Sequence, residues 1–217
     1  MNEVKAPWLA HYGDVPPTLD YQTGSMWNAV EKIEKQYPDY VAYDFMGTHT
    51  TYHAFKEQTE LCARSLKAIG IREGDRVTIC MPNCPQCVIM FYAVNLVGAI
   101  ANMIHPLSSE NEIMFYLNDS NSVAAITLDQ FYYKFAAIRE KVRIDTLIIA
   151  SIADALAQPL KTGYLLTEGR KIRKIQKDAP VLRWKDFMRM GKQYHWKYRA
   201  DKKGSDAAVI LYSGGTT

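Results

Sequence analysis

Residues 76–104 read RVTICMPNCPQCVIMFYAVNLVGAIANMI, and this stretch decides the fold. Arg76 to Cys80 is a short apolar run ended by Pro82-Asn83, which reads as a buried strand. Pro85 suits the first turn of a helix, because its missing N–H is one that the turn leaves unpaired anyway. That helix runs to Val97, Gly98 ends it, and Ala99 to Ile104 is again an apolar run of strand length. Further along, Ser109 and Glu112 form a capping box for a helix to about Asn118, each side chain satisfying the other residue's free backbone N–H. Val123–Thr127, Phe131–Val142 and Thr146–Ala150 repeat the alternation as strand, helix and strand. Three successive strand–helix–strand crossovers with near-continuous apolar strands predict an α/β fold: a largely parallel sheet with helices on both faces.

Upstream, Ser25 is placed to cap a helix in which Met26, Ala29, Val30 and Ile33 recur at helical spacing. Val41–Phe45 and Thr50–Tyr52 around Gly47 predict a β-hairpin, and a helix comes next from about Ala54 to Ile69 with Gly70 at its end. Residues 1–22, rich in Pro and Tyr, are expected to wrap the surface. Downstream the pattern weakens. A helix is expected near Tyr164–Ile175, a turn or strand around Trp184–Phe187, and a polar connection over Lys192–Ser205. Asp206–Tyr212 then reads as a strand leading into Ser213-Gly214-Gly215-Thr216-Thr217.

Composition narrows the function. The chain holds 26 basic and 23 acidic residues, a net charge of +3, which is too even to argue for a nucleic-acid partner. Val88–Ile104, the longest apolar stretch, is interrupted by Asn95, Gly98 and Asn102, so no transmembrane segment is expected. The N-terminus does not resemble a signal peptide and the four cysteines suggest a reducing compartment, so the expectation is a soluble, cytoplasmic protein. Arg170, Lys171, Arg173, Lys174 and Lys177 read as a solvated helix face. The alternative is a patch attracting phosphate groups or an anionic membrane surface, so peripheral membrane contact stays open. Cys80, Cys84 and Cys87 have the C-x3-C-x2-C spacing of an iron–sulfur ligand set. Their setting, at the end of an apolar strand and the start of an apolar helix, favours ordinary buried cysteines. The histidines have no acidic or cysteine partner at metal spacing, and no metal site is expected.

Chemistry is concentrated in the terminal run. A buried strand fixes the position of the residues after it, the two glycines allow backbone amides to approach an anion, and the hydroxyls of Ser213, Thr216 and Thr217 add donors. Taken alone this is a moderately specific phosphate grip. It is not a Walker A loop, which needs G-x-x-x-x-G-K-[ST], and no G-x-G-x-x-G stands after a strand.

These residues resemble the adenylate-forming superfamily of acyl-CoA ligases, luciferases and peptide-synthetase adenylation domains. Tyr212, Gly215, Thr216 and Thr217 match its phosphate loop, while Ser213 and Gly214 stand where Thr and Ser are usual. Upstream, Thr51-Tyr52 with Phe55, Gly70-Ile71, Gly74-Asp75-Arg76-Val77, Pro82-Asn83, Gly98-Ala99 and Pro106-Leu107 keep the family's order and spacing. The likeness covers roughly residues 25–217, and most of these upstream matches are turns that keep the fold.

The resemblance implies an AMP-forming ligase that joins a carboxylate to ATP and passes the acyl group to coenzyme A, with Mg²⁺ as a further cofactor. On that reading Ser213, Gly214, Gly215, Thr216 and Thr217 bind the nucleotide phosphates, and no catalytic residue is assigned. Residues 1–217 are then expected to be the leading part of the adenylation domain, folded but inactive alone. The variant loop is similar to that of bacterial long-chain-fatty-acid–CoA ligases, which makes a fatty acid the expected substrate. An aryl or amino-acid adenylating enzyme on the same fold and a non-catalytic flavodoxin-like module are the alternatives. His105, at a strand end before Pro106, is read as a structural loop histidine, with a catalytic role as the alternative.

Overall fold

A computed structural model describes residues 6–20 and 23–213. The parallel sheet is built from β3 (Arg76–Cys80), β4 (Ile100–Met103), β5 (Ala124–Leu128), β6 (Thr146–Ala150), β7 (Leu182–Arg183) and β8 (Val209–Leu211). Its order is β7-β6-β5-β3-β4-β8, and every neighbouring pair is parallel. A separate antiparallel hairpin, β1 (Val41–Phe45) and β2 (Thr48–Thr51), turns through Met46 and Gly47, both at positive φ.

The period of two along each strand divides the core between two faces. Val77, Ile79, Ala124, Ile126, Leu128, Ile148 and Ala150 belong to the larger cluster. Helices α1 (Met26–Gln36), α2 (Tyr52–Ala68), α3 (Pro85–Leu96) and α7 (Trp184–Lys192) contribute side chains to it. The intervening residues Cys80, Ala125, Leu147 and Ile149 join Ile113 and Leu117 of α4 (Glu110–Asp119) and Phe135 and Ile138 of α5 (Tyr132–Ile138) on the other face. Apolar residues on both faces explain why these strands read as continuous apolar runs rather than alternating ones. The same division separates the cysteines: Cys80 packs on the α4–α5 side, Cys84 and Cys87 on the α3 side. All three are buried, and burial pushes the Cys80 and Cys87 thiols up to about 12. They act as small apolar residues here, and the spacing does not gather their sulfurs.

Three expectations are corrected. First, α1 buries Trp27, Val30 and Glu34, whereas Met26 is exposed. A carboxylate occupies a core position because Lys56 Nζ donates to Glu34 Oε2 at 2.8 Å and His53 Nδ1 lies 3.0 Å from Oε1. Second, the region 164–175 is not one helix. It is α6 (Leu160–Leu166), a single 3₁₀ turn over Gly169–Lys171 and irregular chain beyond, so the basic stretch is not a helix face. Third, Trp184–Phe187 opens helix α7 rather than forming a turn or strand.

The Glu34 cluster joins α1 to α2 and should make stability depend on pH. Lys56 and then His53 hold the Glu34 carboxyl below its ordinary 4.5. Its contribution is therefore complete above that value and lost as pH falls through the lower, folded-state value. Glu34, then Glu57, raise His53 above its ordinary 6.5, so its contribution holds below that value and fades as pH rises through the folded-state one. Urea unfolding across this range is expected to show both slopes in the wild type. In Glu34→Gln the acid slope from this carboxyl should vanish and the His53 slope should flatten.

The polar segment between α7 and β8 crosses the surface as a strap. Arg199 bridges Glu31 of α1 and Glu60 of α2, and Ala200 N donates to Leu96 O at 3.0 Å. Glycine is required at Gly98, where φ is +81° and a side chain would meet Ala200 and Glu73. The strap thereby fixes where β8 enters the sheet.

Candidate phosphate-binding site

The chain turns back on itself at β3. Its successor β4 lies to one side, β5 lies to the other, and helices α3 and α4 leave toward opposite faces. In open parallel sheets ligands bind outside the carboxyl ends of the strands at such a reversal. The loops there are Met81–Cys84 after β3 and His105–Ser109 after β4.

β8 delivers Ser213, the first residue of the terminal run, to this end. It pairs with β4 in the register Ala101↔Val209, Asn102↔Ile210 and Met103↔Leu211. Two residues beyond the last pair come His105 on one strand and Ser213 on the other. Tyr212 fastens the start of the loop to α4: its ring lies 4.2 Å from that of Tyr116, and its hydroxyl donates to Asp119 Oδ2 at 3.0 Å. Burial, then the hydrogen bond to Asp119, push the Tyr212 phenol up to about 12, so it stays a neutral donor. Ser213 is exposed at the carboxyl end of the sheet. Gly214, Gly215, Thr216 and Thr217, the remainder of the expected grip, lie outside the described residues.

Between β3, β4 and the end of α4 is a buried polar network. Asn102 Nδ2 donates to Thr78 Oγ1 at 2.8 Å and to Ser120 Oγ at 2.9 Å, and the Thr78 and Ser122 hydroxyls are 2.7 Å apart. The network ties β3, β4 and the end of α4 together below Tyr212. It has no opening to a ligand, since Thr78 and Asn102 are fully buried.

His105 is exposed, and Leu107 N–H donates to its Nδ1 at 3.2 Å. Accepting at Nδ1 puts the proton of a neutral ring on Nε2. The contact is local to the turn, in keeping with a loop-shaping role. The same turn is held by a residue that local patterning does not single out. Lys134 of α5, nearly buried, donates from Nζ to Ser108 O at 2.7 Å and Pro106 O at 3.1 Å. Its signal was a lysine within the otherwise apolar and aromatic run Tyr132–Ile138, since buried ammonium groups require partners.

Within Asp206–Thr217 the single carboxylate is Asp206, whose Oδ2 accepts from Lys203 N–H at 2.8 Å and lies 3.7 Å from Lys202 Nζ. Neutral hydroxyls in a stretch of sequence with no other carboxylate suit phosphate oxygens and do not suit a divalent cation. No Mg²⁺ ligand is therefore assigned in this stretch.

Known proteins share this architecture. The long-chain-fatty-acid–CoA ligase of Bacillus subtilis is 31% identical over 213 residues, covering 97% of this chain and 38% of that enzyme. Among solved structures, the anthranilate CoA ligase AuaEII in complex with anthranoyl-AMP superposes with a TM-score of 0.72 at 19% identity, over 94% of this chain and 34% of that one. A long-chain-fatty-acid–CoA ligase from Archaeoglobus fulgidus gives 0.68 at 19%, over 93% and 36%. At those identities the structures speak for the fold alone. The chain thus spans about two fifths of the length of the B. subtilis relative. Residues 30–217 match the family model described as AMP-binding enzyme, a match that runs through the candidate phosphate loop, and the chain belongs to that family.

Proposed function

We propose that this chain is the leading part of the adenylation domain of an AMP-forming acid–thiol ligase, with a fatty acid as its carboxylate substrate and ATP and coenzyme A as its other substrates. The observation that carries the reading is the family match over residues 30–217. It is supported by a strand, β8, that leads the run Ser213-Gly214-Gly215-Thr216-Thr217 toward the carboxyl end of a parallel sheet beside its reversal. The fatty-acid choice rests on the 31% identity to the B. subtilis ligase.

In this proposal the residues of the loop bind and orient the β- and γ-phosphates of ATP. Negative charge grows on the departing pyrophosphate as the carboxylate attacks the α-phosphorus. Backbone amides at Gly214 and Gly215 and hydroxyls at Ser213, Thr216 and Thr217 are the donors set against it. Such donors act best when fixed in advance, which is the part played by Tyr212 and the β4–β8 pairing. Mg²⁺, when bound, offsets phosphate charge, and its ligands are not assigned to this chain. A cytoplasmic location belongs to the same proposal; among the described residues no helix is long and apolar enough to cross a membrane.

Carboxylate-dependent exchange of labelled pyrophosphate into ATP tests the reading, run on the full-length protein with acetate, a medium-chain acid, a long-chain acid and an aromatic acid. Exchange strongest with the long-chain acid is expected. Exchange confined to the aromatic acid would replace the fatty-acid assignment by an aryl one, and no exchange with any carboxylate would overturn the ligase reading.

A further inference from the structure

Helix α2, the end of α7 and the strap that follows it enclose an open hollow of about 590 Å³, within the size range of small-molecule sites. The crossing of α7 over α2 at Gly191 brings the next residues against α2. Glu57 and Arg64 line the hollow from α2, and Lys192, Tyr194, Trp196 and Tyr198 line it from α7 and the strap. Arg64 stands one turn before the end of α2, which leads into the amino end of β3. Ser213 is at the carboxyl end of the sheet, so the hollow is a separate place from the phosphate loop.

Its lining combines aromatic rings with uncommitted positive charge. The Arg64 guanidinium lies 5.4 Å from the centre of the Tyr198 ring, and Arg199 lies 5.9 Å from the same ring. Arg199 is held by Glu31 and Glu60, whereas among the described residues neither Arg64 nor Lys192 takes part in an ion pair. Beside them the Tyr194 and Trp196 rings meet edge to face with centres 5.4 Å apart, and Trp196 is 72% exposed. The single carboxylate of the lining is Glu57, whose Oε1 lies 3.6 Å from His53 Nε2. With His195 neutral, the lining therefore holds two cations against one carboxylate.

We infer that this hollow binds a nucleotide, with the base on the Trp196 indole and the phosphate at Arg64 and Lys192. An exposed indole stacks on any base, since every base has a π-face, and a planar guanidinium matches phosphate oxygens. An inorganic anion uses the cations and leaves the rings in water, and an uncharged arene leaves the cations without a counter-charge. Glu57 adds an acceptor for a sugar hydroxyl or a base amino group, neither of which a simple aromatic carboxylate offers. The inference goes beyond the ligase reading, because it uses none of Ser213–Thr217 and no acyl substrate.

Calorimetric titration of the 217-residue chain with AMP tests it, with adenosine and inorganic phosphate as the separate halves of the ligand. AMP is expected to bind and to quench the fluorescence of Trp196, and each half to bind at least about tenfold more weakly. R64Q with K192Q should weaken AMP about tenfold and leave adenosine unchanged, because hydrogen bonds from charged donors to phosphate are among the stronger ones. W196A should weaken AMP at least about fivefold through lost stacking, and W196F should restore most of that loss. Trp196 and Lys192 are exposed, so circular dichroism melts of W196A and K192Q should match the wild type. Absence of AMP binding overturns the inference, as does unchanged AMP affinity in both W196A and the R64Q–K192Q pair. Inorganic phosphate binding as tightly as AMP would reduce the hollow to an anion contact and overturn it too. So would loss of AMP binding in T216A with T217A, which would move the nucleotide to the loop.

Discussion

Alanine at both Thr216 and Thr217 is expected to slow adenylate formation by the full-length enzyme about 10²-fold, because a preorganised donor to developing charge is worth that much or more. The two hydroxyls are neutral donors in a stretch whose only carboxylate, Asp206, is already engaged by Lys203. Their loss should fall on kcat in pyrophosphate exchange, with KM for the carboxylate nearly unchanged, because the acid does not meet these groups in the proposed arrangement. Tyr212→Phe is the informative companion. It keeps the ring 4.2 Å from that of Tyr116 and removes only the hydroxyl that donates to Asp119. That change should cost about 1 kcal/mol of stability and leave exchange within about threefold of wild type. If the double alanine variant exchanged at wild-type rate, the phosphate-binding role assigned to this loop would be wrong.

The second large effect concerns folding. Gly191 sits where α7 crosses α2, and a Cβ there would run into the carbonyl of Leu61 and both the hydroxyl and the amide of Ser65. Two of these neighbours are backbone atoms of a helix with one face packed in the core, so they cannot turn aside as the tip of a long side chain would. Gly191→Val should therefore destabilise the chain by about 3 kcal/mol or more, read from the midpoint of urea unfolding. Gly163→Ala is the control. It lies in α6, and nothing stands within 4 Å of the position its Cβ would take. Helix propensity alone then applies, and a gain of about 0.5–1 kcal/mol is expected. Equal responses at the two glycines would mean that α7 does not approach α2 as closely as described.

These two experiments fall on either side of what local sequence can express. The stretch 76–150 was legible because each element carried its own punctuation. Pro82, Pro85, Gly98 and the Ser109–Glu112 box mark boundaries through backbone chemistry that needs no partner, and β3 to β6 fall close to where the apolar runs put them. In the proposed function the run Ser213–Thr217 is assigned from residue types alone, since glycine amides and hydroxyls suit a phosphate.

The misreadings came where long-range contacts supply the cause. Trp184–Phe187 reads locally as a turn or strand. Yet Trp184, Phe187 and Gly191 are the three buried positions of α7, three and four residues apart, and that periodicity was the available signal. Glu34 is a surface residue on any local reading, until Lys56 and His53 bring it into the core. The C-x3-C-x2-C spacing suits a shared ligand, but its apolar setting favoured ordinary buried cysteines, and Cys80 packs on the α4–α5 side while Cys84 and Cys87 pack on the α3 side.

The sequence by itself determined the class of fold and the order of its central elements, because turn chemistry and apolar period are local properties. Only the tertiary structure decided that β8 returns to pair with β4 and that Tyr212 is fastened to α4. Those depend on which distant groups meet, and on free energies of contact that no single segment carries.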